Sequence, residues 1–170
     1  MEAVQIASEE LCANITKALD LIGELTEIAK EKEAHLEAGD IEGLRSATEK
    51  EEEIVAALNR TEKDRKNCAD ALSQAIGLFE GEITLKDIIE KLSESSMKER
   101  LSGLRNNLMD AAENLSRLND RLGQKLQLRI GFTDYMINML YVPRKKNHSY
   151  DVQGSRKDEA GDMNLLDLHI

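Results

Sequence analysis

Proline occurs once in these 170 residues, at position 143, aromatic residues make up 3% of them, and tryptophan is absent. Ahead of Pro143, then, no proline stands in the way of long helices. Cysteine is almost as scarce. Cys12 and Cys68 lie far apart and outside any C-x-x-C pair, so neither a zinc site nor a disulfide framework is indicated, and a reducing compartment keeps both as thiols. The opening residues Met1 to Gln5 lack the basic region, apolar run and cleavage site of a signal peptide. The longest apolar-looking stretch, Ile130 to Val142, is too short to span a bilayer and contains Asp134 and Asn138. A soluble, cytoplasmic protein is the expectation.

Catalytic signatures are also missing. There is no glycine-rich phosphate loop, nucleophile elbow or H-E-x-x-H. His35, His148 and His169 do not cluster, and the residues three before them, Lys32, Lys145 and Leu166, are not the glutamates of a di-iron carboxylate bundle. His35 with Leu36, Ala38 and Gly39 superficially resembles a phosphotransfer histidine. Those histidines sit inside a continuing helix, however, whereas Gly39-Asp40 reads as a helix end. No enzyme, cofactor or metal is expected.

What the chain does have is charge and helix formers. Charged residues make up 33%, the net charge is -10, and the isoelectric point is near 4.9. A surface of that sign repels nucleic acid and anionic membranes and leaves a protein or small-molecule partner. From Val4 to Leu36, steps of three and four give Val4, Ser8, Leu11, Ile15, Ala18, Ile22, Leu25, Ala29, Lys32 and Leu36, a heptad-like seam. Gly39 supplies a left-handed helix end and Asp40 a cap for the next helix, so an antiparallel hairpin is expected. The second seam runs through Leu44, Ala47, Ile54, Leu58, Cys68, Leu72, Ala75 and Phe79, interrupted by Glu51, Thr61 and Arg65. Glu31 to Glu33 and Glu49 to Glu53 make the tip of this hairpin charged and poor in apolar surface.

Gly81 breaks the pattern, and Thr84 to Asp87 resembles a capping box that opens a short helix. That helix is too short to carry the chain back along the hairpin. The last long helix must therefore start beside the beginning of the first and run parallel to it toward the Gly39 turn. In its first half Leu101, Leu104, Leu108, Ala111, Ala112, Leu115, Leu118 and Leu122 occupy an arc of roughly 120° on a helical wheel. Toward its end Ile130, Phe132, Tyr135, Met136, Ile137, Met139, Leu140 and Tyr141 spread over roughly 240°, with Thr133 inside the apolar arc. The helix should stop before Pro143.

The fold class read from this pattern is all-α: an elongated antiparallel helical bundle or coiled coil of three long helices plus one short helix, with a flexible C-terminal tail. The helices are placed at about 3–38, 41–79, 85–93 and 97–141, within a bundle domain of about residues 1–142 and a tail of about 143–170. Where the apolar arc widens, bundle partners run out. Four of the five aromatic residues, Phe132, Tyr135, Tyr141 and Tyr150, fall in the last 40 positions together with Met136 and Met139. Aromatic anchors and adaptable methionines suit a groove for an amphipathic helix. The expected cargo-binding residues are Leu126, Ile130, Phe132, Tyr135, Met136, Ile137, Met139, Leu140 and Tyr141. Two copies of the chain could bury the same surface against each other, and a constitutive coiled-coil scaffold would share the composition.

The order of elements and several local signatures resemble the FlgN family of flagellar export chaperones. They are the turn Ala38-Gly39-Asp40-Ile41-Glu42-Gly43-Leu44, the charged run Glu49 to Glu53 and the helix start Ile83-Thr84-Leu85-Lys86-Asp87. A long Leu- and Asn-bearing final helix and the motif Tyr150-Asp151-Val152-Gln153-Gly154 follow. The resemblance implies a cytosolic chaperone for the hook-filament junction proteins FlgK and FlgL, which binds their terminal segments through its own C-terminal part and hands them to the type III export gate. It also implies an export-gate or tail contact at Tyr150 and Gly154. The extension Ser155 to Ile170, and Gly123 and Lys125 within the final helix, depart from the family pattern.

Overall fold

The computed structural model describes residues 2–78 and 83–140. Among them are four helices, α1 (Glu2–Ala38), α2 (Ile41–Ala75), α3 (Leu85–Lys91) and α4 (Ser95–Leu140). The all-α class, with three long helices and one short one, is borne out. The chain divides into two units, 1–130 and 131–170, with the last ten described residues belonging to the second. Tyr141, Tyr150 and Gly154 lie outside the described residues.

The α1–α2 turn is built from two residues that each satisfy a helix end. Gly39 takes φ 73°, a value that costs an L side chain strain but not glycine. With it there, Gly39 N donates to Leu36 O (3.2 Å) and Asp40 N donates to His35 O (2.9 Å), which closes α1 in a Schellman motif. Asp40 then caps α2, accepting from Gly43 N at 2.9 Å. The same aspartate accepts from or pairs with His35 Nδ1 at 2.8 Å, so the last turn of α1 and the first of α2 share one side chain.

Helix α2 ends at Ala75, four residues before the expected Phe79. Gly77 takes the left-handed position, with φ 76°; Phe79 and Gly81, the expected helix end and break, lie outside the described residues. Leu78 N donates to Ser73 O (2.9 Å) and Gly77 N to Gln74 O (3.1 Å), a second Schellman closure that the sequence offered two glycines to make. Ala75, placed on the seam by spacing, is exposed at this frayed end. The short helix opens on the expected capping box: Asp87 N donates to Thr84 Oγ1 (3.3 Å) and Thr84 N to Asp87 Oδ2 (2.8 Å). It ends at Lys91 rather than 93, and α4 starts at Ser95 rather than 97.

The core lies at the end of the hairpin away from Gly39. Leu11, Cys12 and Ile15 of α1, Leu72 of α2, Ile88 and Ile89 of α3, Leu92, and Met97 and Leu101 of α4 form one buried cluster. Cys12 Sγ is 3.8 Å from Met97 Sδ, and burial pushes the Cys12 thiol above its ordinary range. Moving toward the turn, buried apolar residues continue through Leu25, Ile28, Ala29 and Leu36 of α1 and Ala47 of α2, and charge joins them: Lys32 Nζ meets Glu51 at 2.6 Å across the hairpin, with both side chains largely covered.

Helix α4 runs parallel to α1. Partners along the two helices keep a nearly constant separation in sequence, 85 residues for Cys12–Met97, 88 for Glu33–Arg121 and 93 for Leu36–Arg129. Among the described residues, α4 meets the hairpin through side chains, with no Cα–Cα approach under 8 Å.

Thr61, expected to interrupt the α2 seam, sits within it at 1% exposure, and its Oγ1 has no hydrogen-bond partner among the described residues. A buried unsatisfied hydroxyl costs roughly 1–3 kcal/mol. Thr61→Val keeps the shape and removes the hydroxyl. It should raise unfolding free energy by about 1 kcal/mol, read as a higher urea midpoint with an unchanged slope.

Candidate protein-docking site

Three basic side chains of α4, spaced one turn apart, fix it against the end of α1. Arg121 donates from Nε and Nη2 to the two carboxylate oxygens of Glu33, both at 2.9 Å. Lys125 bridges Glu33 (2.8 Å) and Glu37. Arg129 reaches the backbone, donating to Leu36 O through Nη1 and to Glu37 O through Nη2. The guanidinium gives the Glu37 carbonyl a donor, adds a second to the Leu36 carbonyl that already accepts from Gly39 N, and sits at the negative end of the α1 dipole. Gly39 leaves room beside it: a Cβ built there would lie 3.6 Å from Arg129 Nη1.

The electrostatics follow from these contacts. Hydrogen bonds from Lys125 and then Arg121 hold the Glu33 carboxyl below its ordinary 4.5, and the Lys125 ammonium is raised above 10.5 by Glu33 and Glu37. At the turn, the Gly43 N–H and then His35 lower the Asp40 carboxyl.

Within one turn of that clamp the burial pattern of α4 changes. Leu118 and Leu122 are buried and Leu126 is half-buried, but every residue from Gln127 to Leu140 is exposed. Of the expected cargo-binding residues, Ile130, Phe132, Tyr135, Met136, Ile137, Met139 and Leu140 are 40% to 78% exposed. Leu128, at 75%, belongs with them and was not on the expected list. Its signal was in the sequence: Leu128, Phe132, Tyr135 and Met139 follow steps of four, three and four, a seam of its own. The other large exposed apolar residues, Ile6, Ile41, Val55 and Met109, are scattered singly. Such isolated exposure is normal, whereas a run of eight in thirteen positions is not.

The chain is thus an all-α bundle that carries a concentrated apolar helical surface as its most distinctive feature, the class of a protein-binding helical module. Among the described residues no helix is long and apolar enough to cross a membrane, and no group of three or more His, Cys, Asp or Glu is arranged to hold a metal ion. A family model described as FlgN protein matches residues 1–158, and the chain belongs to that family, one of flagellar export chaperones rather than enzymes. No curated protein and no solved structure matches it.

Because the Glu33 carboxyl is lowered in the folded protein, its contribution to stability is present above about pH 4.5 and is lost as pH falls through the folded value. Stability of the wild-type chain should therefore decline on acidification below that point. Glu33→Gln should flatten this part of the decline, checked by urea midpoints at about pH 6, 4 and 3.

Proposed function

We propose that this chain is a cytoplasmic type III export chaperone that binds the terminal helical segments of the hook-filament junction proteins FlgK and FlgL and delivers them to the export gate. The observation that carries the reading is the run of exposed apolar side chains from Leu128 to Leu140. A stable folded protein has no use for that surface on its own. It fits a partner segment that is itself apolar on one side and has no core of its own until it assembles elsewhere.

Leu126, Ile130, Phe132, Tyr135, Met136, Ile137, Met139, Leu140 and Tyr141 are the cargo contacts in this reading, with Leu128 added to them. Tyr150 and Gly154 belong to a separate contact with the cytoplasmic domain of the export gate. Division of labour along the chain keeps cargo capture and delivery independently addressable.

Ending the chain after Arg129 keeps the Arg121–Lys125–Arg129 clamp and removes seven of the eight exposed apolar side chains of the run, leaving Leu128. Affinity for FlgK or FlgL, measured by calorimetry, should fall at least 100-fold while circular dichroism still reports a folded helical bundle. Unchanged affinity would remove the assignment. Tyr150→Ala in the full chain should leave cargo affinity intact and weaken binding to the purified gate domain; equal binding to the gate would dismiss the role given to Tyr150.

A further inference from the structure

The apolar end of α4 is not one broad stripe. Leu128, Phe132, Tyr135 and Met139 cluster on one side of the helix, and Leu126, Ile130, Thr133, Ile137 and Leu140 follow the same three-and-four spacing on another, the two sets offset by two residues. On a wheel of ~100° per residue their centres lie roughly 150° apart. Asp134, Asn138 and Gly131 occupy the far gap between them, and Arg129 falls in the near one with Met136 beside it. Helix α4 is continuous through Leu140, so both seams lie on one helix.

A single partner helix packs on one seam and cannot reach round to the other. The eight large side chains from Leu128 to Leu140 that are exposed average about three-fifths exposure. At roughly 150–200 Å² for a large apolar side chain, they offer about 800 Å² in total, the share each partner contributes to a standard stable interface. One seam alone offers roughly half of that. The two seams also differ in chemistry. The first is Leu, Phe, Tyr and Met, adaptable and aromatic, while the second is β-branched and aliphatic, with Ile130 and Ile137 alternating with Leu126 and Leu140.

Resting on the cargo-binding reading above, we propose that the end of α4 is the central helix of a three-helix assembly and holds two amphipathic helices of one cargo subunit at once, one on each seam. Two segments of the same chain have the advantage that docking the first places the second at millimolar effective concentration. A cargo held this way is recognised by the pairing of two helices, so neither segment alone is a full substitute.

The test uses the full-length chain and a purified full-length junction subunit. Hydrogen exchange should show two separate cargo helices protected in the wild-type complex. Phe132→Ala with Met139→Ala should release one of them and Ile130→Ala with Ile137→Ala the other, each pair weakening affinity tenfold or more. Alanine preserves the helix, and circular dichroism checks it. Protection of one cargo helix only, or one pair of substitutions without effect on affinity, overturns the two-helix arrangement and leaves the cargo site standing. A pair that halves the mass of the cargo-free chain in light scattering overturns it in favour of a second copy on that seam. If neither pair changes affinity in a helical protein, the cargo reading of α4 falls as well.

Discussion

Seven residues of helix in α3 cannot return a chain along a hairpin whose second arm is 35 residues long, and the arrangement of the bundle depends on that shortfall. Because α2 delivers the chain to the end of the hairpin away from Gly39, and α3 spans only about 10 Å at 1.5 Å per residue, α4 has to begin where α1 begins. The core is placed accordingly. Ile88, Ile89 and Leu92 fill the corner between Leu11, Ile15 and Leu72 on one side and Met97 and Leu101 on the other. With its start fixed there, α4 has one direction open to it, parallel to α1 and toward the turn.

Parallel packing brings helix dipoles side by side in the unfavourable sense, and the charges near the turn offset this. Glu33 and Glu37 of α1 would otherwise add to the negative end of their own helix. Arg121, Lys125 and Arg129 answer them, and Arg129 goes further by donating to the backbone carbonyls of Leu36 and Glu37. Apolar burial runs the length of α1, through Ile22, Leu25, Ile28, Ala29 and Leu36, and ion pairing joins it near the turn. The end near α3 is held by core packing that is indifferent to salt. The end near Gly39 adds to the buried Leu36, Ala47 and Leu122 a set of exposed pairs, each worth about 0–1 kcal/mol and screened by ions, with the Lys32–Glu51 pair covered between the two arms.

What the sequence disclosed, and what it withheld, follows the range of the interactions involved. Gly39-Asp40 and Thr84 to Asp87 are local devices, complete within six residues, and the structure uses both as read. The parallel course of α4 was legible because it follows from element lengths alone. Gly77 and Gly81 could each end α2, and nothing local to either decides between them. Thr61 looks polar in a one-dimensional pattern, yet a threonine is as small as valine, and its neighbours bury it without a partner. Arg129 as the cap of α1 was illegible for a different reason: a residue more than ninety positions away becomes a capping group only after the bundle is assembled. Leu128 is hidden in the pattern because two narrow seams, taken together on a helical wheel, merge into one wide arc.

An apolar surface of about 800 Å² exceeds the few hundred Å² that soluble monomers ordinarily expose, so something must limit its self-association. The acidic excess of the chain works against it. With a net charge of -10, two copies approaching each other meet a repulsion that acts over about a Debye length, ~8 Å at physiological salt, before apolar side chains can touch. An apolar segment of low charge meets no such barrier. Charge on the body thus opposes the pairing of two copies, while hydrophobicity at the end of α4 favours a partner that differs from the chain in sign or lacks charge. The glutamates that look like a solvated hairpin tip contribute in both ways, pairing with α4 at Glu33 and Glu37 and supplying part of that repulsive field.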